Sequence, residues 1–140
     1  MSKKSGRIAE LIESCQGKEW NAYYLGYFEC FNRGLYFEAH DVLEELWLAD
    51  RHGPNYSFHK GLIQLAGAFV HLQKERLRPS NALFNLAKNN LLQYPAEHDG
   101  LDLRRILLLI AEWQKDLAAA GRNGNPIKKR PAPQLAIPGE

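Results

Sequence analysis

The sequence is poor in cysteine, and its cysteines do not form a pattern typical of disulfide-rich or metal-binding proteins. Its 140 residues contain two cysteines, Cys15 and Cys30, which are too few for a disulfide framework and are not spaced as metal ligands. The first residues, MSKKSGRIAELIESC, also lack the apolar core of a signal peptide. We therefore expect reduced thiols in a cytoplasmic protein.

Long apolar runs and a dominant charge are missing as well. The longest apolar stretch, near residues 62–72, is interrupted by Gln64 and His71 and is shorter than the roughly 20 residues that cross a bilayer. The net charge is only +2, and the basic residues do not line up with aromatics as on a nucleic-acid surface. We expect neither a membrane segment nor a nucleic-acid partner.

Familiar catalytic motifs are absent too. The chain has no glycine-rich phosphate loop and no evident Ser/His/Asp arrangement. It lacks the Glu-x-x-His motif of di-iron bundles and the His-Glu-x-x-His motif of zinc proteases. A reaction centre in this chain would therefore need a less common set of residues.

Helical periodicity runs through most of the sequence, and no segment alternates cleanly enough to predict a strand. Gly34, the Gly53–Pro54 pair and Pro79 are the expected helix breaks, with Ser80 or Asn81 capping the helix that follows Pro79. Asp99 and Asp102 form a weak capping pair before the last helix, which Gly121 ends. The predicted helices cover residues 6–15, 19–33, 36–50, 55–77, 82–92 and 101–120.

These helices predict an all-α protein, a single-domain irregular bundle of five to six helices with an extended C-terminal tail. We divide the chain into an N-terminal helix or arm (1–17), a helical bundle domain (18–121) and a basic, proline-rich tail (122–140). The tail is expected to be free or to lie along a partner. Wide apolar arcs on two helices lead us to expect a homodimer.

The stretch FNRGLYFEAHDVLEELW, residues 31–47, places a histidine and several carboxylates on one aromatic-rich helix. At about 100° per residue, His40 and Glu44 fall inside the apolar arc of this helix, one turn apart on the same face. Because a buried carboxylate needs a partner, the pattern predicts a His40–Glu44 pair turned toward the interior. Two interpretations stay open: the pair only stabilises packing, or it binds a ligand or a metal.

A second polar stripe lies on the next helix, which is otherwise apolar. It is formed by Lys60, Gln64, Gly67, His71 and Lys74. The stripe is either the solvent face of that helix or it turns Gln64 and His71 toward the histidine and glutamate of the preceding helix.

Three other histidines lie near turns. His52 and His59 flank the Gly53–Pro54 break, and His98 lies in the loop QYPAEHDG. Turn histidines are usually solvated, so we do not count these as ligands.

The residues from FNRGLYFEAHDVLEELW to KGLIQLAGAFVHL resemble the small helical family catalogued as domain of unknown function 309. The resemblance covers roughly residues 20–92 and implies an all-helical, bundle-like domain with no assigned activity. It implies roles for Glu38, His40, Glu44 and Gln64. The family pattern usually has glutamate at Asp41, and it often has glycine where this chain has Asn81.

Two functions remain open: a binding or interaction module with a partly buried His–carboxylate site, or a metal-dependent or hydrolase-like enzyme that uses the same cluster. The module would bind a small ligand or a protein partner, and the enzyme could require a divalent metal such as zinc or iron. The candidate ligand-binding residues are Glu38, His40, Glu44, Trp47, Gln64 and His71. The candidate catalytic residues are His40, Glu44 and Asp41, and the candidate metal ligands are His40, Glu44 and His71.

Overall fold

A computed structural model describes residues 6–120 and 124–139, and six α-helices form in that part of the chain. They are α1 (Gly6–Ser14), α2 (Ala22–Asn32), α3 (Tyr36–Ala49), α4 (Tyr56–Gln73), α5 (Leu77–Leu91) and α6 (Leu103–Ala120). A hairpin of β1 (Glu97–His98) and β2 (Leu101–Asp102) precedes α6, and a 3-10 turn covers Pro126–Lys128. The predicted all-α bundle is confirmed. The expectations for Gly121 and Arg122 lie outside the described residues.

Consecutive helices pack side by side from α1 to α6, with α4 central between α3 and α5. Aromatic rings fill the centre, where the Phe69 ring contacts those of Phe31, Tyr36, Phe84 and Trp113 at centroid distances of 4.8–5.4 Å. In the described ranges no helix is long and apolar enough to cross a membrane.

Two helices end in the same hydrogen-bonded motif, only one of which carries a glycine. Gly34 ends α2 with φ +76°, as predicted, and the N–H of Leu35 reaches back to the Cys30 carbonyl. At the end of α4, Glu75 takes the glycine position with φ +58°, and the N–H of Arg76 bonds to the His71 carbonyl. The boundary between α4 and α5 therefore lies several residues earlier than the sequence predicts.

The start of α5 corrects the expectation that Pro79 breaks the chain. Pro79 lies in the first turn of α5, where a missing N–H costs no intrahelical hydrogen bond. Ser80 is consequently a fully buried residue inside this helix and, like Asn81, lies after its start. The expected capping role of both residues is wrong.

The β1–β2 hairpin is a second correction, because strands were not expected. Asp99 and Gly100 have φ +48° and φ +74°, the left-handed pair of the turn that Asp-Gly favours between two short antiparallel strands. Asp102 then caps the start of α6, because its Oδ1 accepts hydrogen bonds from the N–H groups of Arg104 and Arg105. The cap is therefore Asp102 alone.

Residues 124–139, which we call the strap, lie against the helices instead of extending freely. The Asn125 side chain donates to the Leu72 carbonyl, and the Arg130 guanidinium stands 4.6 Å from the centre of the Trp113 ring. Farther along, Leu135 is buried beside α2. The described part of the predicted tail is thus packed onto the protein's own bundle.

Candidate functional site

The core side of α3 determines which of its residues face outward. Tyr36, Ala39, Val42 and Leu43 are buried and turn one side of α3 into the bundle. At the helical repeat, the side turned away from this core includes five residues that we call the α3 outer face. They are Phe37, His40, Asp41, Glu44 and Leu48.

The His40–Glu44 pair turned toward the interior is not found. His40 is 32% exposed, its Nδ1 lies 3.3 Å from Oδ1 of Asp41, and its ring is parallel to that of Phe37. None of the hydrogen bonds or ion pairs among the described residues involves Glu44. The apolar arc misled the prediction because two of its members, Phe37 and Leu48, are themselves exposed.

The stripe on α4 is partly exposed, and Gln64 turns away from α3. Its Oε1 accepts a 2.7 Å hydrogen bond from Nδ2 of Asn90 on α5. Lys60 holds its ammonium 5.6 Å from the centre of the Tyr56 ring. Gln64 therefore joins α4 to α5 and does not meet His40.

Trp47 and His71 each bury one nitrogen that has no hydrogen-bond partner in the described part of the chain. For Trp47 this atom is Nε1, and its ring packs on Tyr56 at 5.3 Å. For His71 it is Nδ1. Loss of hydration lowers the His71 pKa, and the nearby charges of Arg76 and Lys74 add to the effect, which favours a neutral imidazole.

The described residues contain no group of three His, Cys, Asp or Glu side chains placed to hold a metal ion. The set of His40, Glu44 and His71 is therefore not assembled. The helix register explains this, because Tyr36 stacks on Phe69 at 5.1 Å, at the opposite end of α3 from Trp47. His71 is thus level with the start of α3 and not with Glu44.

A polar and aromatic cluster lies where the hairpin meets α4, and it includes His98, which is not among the predicted ligands. Nε2 of His98 lies 2.7 Å from Oδ1 of Asn55, and Nδ2 of Asn55 donates to the Asp99 carboxylate at 2.7 Å. Since the Asn55 amide oxygen faces the imidazole, Nε2 of His98 carries the proton. The rings of Phe58 and Tyr94 enclose that imidazole at 4.6 and 4.8 Å.

The cluster holds the hairpin in place. The Tyr24 hydroxyl donates to the Asp99 carbonyl at 2.8 Å. The Tyr94 hydroxyl accepts from the N–H of Phe58 and donates to the Pro54 carbonyl. These bonds join polar groups of the cluster to one another, as expected for a structural network. The Asp-Gly pair at 99–100 was the one sequence signal that could have located it.

His59 lies next to this cluster, where its ring is near those of Phe58 and Tyr24. It is buried, and burial lowers its pKa from the usual 6.5, which outweighs the opposite effects of Asp99 and Asp50. The folded state therefore binds fewer protons than the unfolded state, so stability should fall as the pH drops below about 6.5. We expect a lower urea midpoint at pH 5.5 than at pH 7.5, with a smaller difference in His59→Gln.

His52 provides the matched control because it is exposed. His52→Gln should keep the wild-type pH dependence of the urea midpoint. An unchanged pH dependence in His59→Gln would show that the His59 imidazole is not responsible.

Two cavities lie away from the α3 outer face. One cavity of about 910 Å³ lies where the start of α5 faces the second half of α6, and Arg76, Arg78 and Gln114 are among its lining residues. Another, of about 500 Å³, lies beside α6 and the strap and is lined in part by Arg105 and Leu135.

Comparison with known proteins confirms the family resemblance. Residues 24–83, somewhat less than half of the chain, match the model of a family described as domain of unknown function (DUF309). The matched segment contains most of α2, all of α3 and α4, and part of α5. No curated protein and no solved structure matches the chain.

Proposed function

We propose that the protein is a non-catalytic interaction module that binds a cationic amphipathic helix of a protein partner through the α3 outer face. The observation that carries this proposal is the exposure of Phe37 (58%) and Leu48 (49%) on one side of a helix whose other side is fully packed. A large apolar side chain exposed near each end of one helical face is what an amphipathic partner helix would cover.

The charge of α3 supports a cationic partner. The helix sequence, YFEAHDVLEELWLA, contains four acidic residues and no lysine or arginine. Asp41 and Glu44 lie between the two exposed apolar side chains on the outer face. A second copy bound through the same face would place these acids against each other, whereas lysines or arginines on a partner would pair with them.

The spacing of the outer face fits a helix as the occupant. Phe37 and Leu48 are about three turns, or roughly 16 Å, apart along α3, which matches the reach of apolar residues on one side of a short helix. His40 and Asp41 would form part of the polar rim around these contacts. Trp47 borders this face and packs on Tyr56 of α4, which extends the apolar surface.

The enzyme alternative receives less support. It would need His40, Glu44 and either His71 or Asp41 at one spot with a metal or a substrate. Among the described residues, His40 contacts Asp41, but no group of three such side chains is placed to hold a metal ion. Stoichiometric zinc or iron in purified protein, lost in His40→Ala, would favour that alternative over the interaction module.

Binding of a defined peptide tests the proposed function. The probe is a synthetic helical peptide with leucines along one face and lysines on both sides of it, titrated into the full chain by calorimetry. We expect binding that weakens with added salt. Phe37→Ala with Leu48→Ala should reduce the affinity by roughly 30-fold, about 2 kcal/mol, as for two central contacts.

Two controls make the result specific. Leu92→Ala with Leu108→Ala removes apolar residues that are 56% and 64% exposed elsewhere, and should leave the affinity unchanged. A peptide with glutamates in place of the lysines should bind far more weakly. Equal loss in both double variants, or equal binding of both peptides, would contradict the proposal.

A further inference from the structure

The strap consists of two parts that are held by different contacts. Its first part, residues 124–130, is anchored near the ends of α4 and α6. Asn125 donates to the Leu72 carbonyl at 2.6 Å, and Arg130 pairs with Asp116 at 2.6 Å while covering the Trp113 ring. We call this part the root. The root is thus held by an ion pair and by the hydrogen bond of a buried amide side chain.

The second part, residues 133–139, is held by Asn32, the last residue of α2. Nδ2 of Asn32 donates to the Leu135 carbonyl at 2.8 Å, and Oδ1 accepts from the Leu135 N–H at 2.6 Å. The Asn32 carbonyl, left without an intrahelical partner at the helix end, accepts from Nε2 of Gln134 at 2.9 Å. We call residues 133–139 the tip.

The groove that holds the tip recognises an extended, uncharged segment. Asn32 pairs with both backbone groups of one residue, as a neighbouring β-strand would. Pro133, Leu135 and Pro138 are buried. Gly139 and Pro138 lie against Trp20 and Gly100. Two-sided backbone pairing with buried apolar side chains is the usual chemistry for binding an extended peptide.

Between the root and the tip lie Pro131 and Ala132, which are exposed. The root and the tip are held by different residues, so release of the tip need not break the contacts of the root. The segment known to fit the groove is the tip sequence itself, which a second copy of the chain also carries. Exchange of an identical element between two copies needs no new contact chemistry.

We propose that the Asn32 groove is an interaction site for the tip of a second copy, so that two chains pair by exchanging residues 133–139. The strap in the same chain competes at an effective concentration of the order of millimolar, so the exchanged pair forms mainly at high protein concentration. This site is separate from the α3 outer face and does not rest on the function proposed for that face.

Mixing two complementary full-chain variants tests the exchange. Leu135→Asp should release the tip and leave an open groove, whereas Asn32→Ala should weaken the groove and leave a competent tip. Each variant alone should sediment as a monomer. Their equimolar mixture should contain at least roughly tenfold more dimer than either variant alone, because one tip–groove pair is restored.

The double variant Asn32→Ala/Leu135→Asp is the matched control. It should form no dimer with either single variant, and circular dichroism should show that all three variants remain helical. If Leu135→Asp is not folded, Leu135→Ser provides a milder release of the tip. A mixture of folded single variants that stays monomeric would overturn the proposal.

A peptide of residues 131–139 provides a second readout. By calorimetry it should bind Leu135→Asp at least roughly tenfold more tightly than the wild-type chain, whose groove is filled, and should not bind the double variant. Failure of the peptide to bind folded Leu135→Asp would also overturn the proposal, whatever the α3 outer face binds.

Discussion

Phe69→Ala should lower the free energy of unfolding by about 3–5 kcal/mol, the range for removing a buried aromatic ring from a packed core. Phe69 is fully buried, and its ring meets those of Phe31, Phe84 and Trp113 edge-to-face and stacks on Tyr36. Phe69 thus connects α4 to α2, α3, α5 and α6. Urea unfolding followed by circular dichroism at 222 nm, the usual helix signal, measures the change.

Phe37 provides the matched control because it is a phenylalanine on the neighbouring helix with 58% of its surface exposed. Phe37→Ala should change the unfolding free energy by no more than about 0.5 kcal/mol. A small domain has a total stability of about 5–15 kcal/mol, so Phe69→Ala removes a large share of it. Similar losses in the two variants would mean that Phe69 is not the centre of the core.

Gly61→Ala should destabilise the protein by about 1–3 kcal/mol, the usual range for overpacking, even though alanine is normally the better helix former by about 1 kcal/mol. A Cβ at Gly61 would lie 2.9 Å from Cγ of Leu91 and 3.2 Å from Cβ of Asn90. These atoms belong to α5, so the two helices would have to separate. Urea unfolding again provides the measurement.

Gly67→Ala on the same helix is the comparison. Its Cβ would meet only the Cδ1 end of the Leu83 side chain, at 3.1 Å, and that side chain can rotate away. This variant should be as stable as wild type or more stable, because alanine favours the helical conformation and its methyl group can be accommodated here. If Gly61→Ala were the more stable of the two, the close α4–α5 approach at Gly61 would be refuted.

The helical architecture could be predicted from the sequence because local signals determine it. Apolar periodicity marked the helices, and Gly34 ended α2 where its left-handed backbone was expected. The α4–α5 boundary could not be located, because Glu75 adopts the left-handed conformation without the usual glycine. Pro79 added to the error, since proline is tolerated in a first turn as well as after a helix end.

The candidate site was harder to predict, because periodicity gives the relative positions of residues on a helix but not the side that meets the core. His40 and Glu44 do share a face, as the spacing required. Phe37 and Leu48 made that face look like the interior, although both are exposed. Only contacts with other helices, such as Tyr36 on Phe69, determine the orientation.

No pattern in the sequence predicts the long-range polar contacts. The bond from Asn32 to the Leu135 carbonyl joins residues 103 positions apart, and nothing in the proline-rich tail indicates such a partner. The turn position of His98 predicts a solvated side chain, and no pattern indicates its partner Asn55, which lies 43 positions away. In both cases an amide side chain determines the arrangement, and amides carry no periodic signal.

Two of the three tryptophans lie under the strap, so their fluorescence should report its detachment. Trp113 lies beneath Arg130 and Trp20 beneath Gly139, whereas Trp47 is on α3, where it packs on Tyr56. Water that reaches an indole shifts its emission to the red. Detachment of the strap would therefore be visible in the emission of Trp20 and Trp113 while the helical backbone and the Trp47 signal stay unchanged.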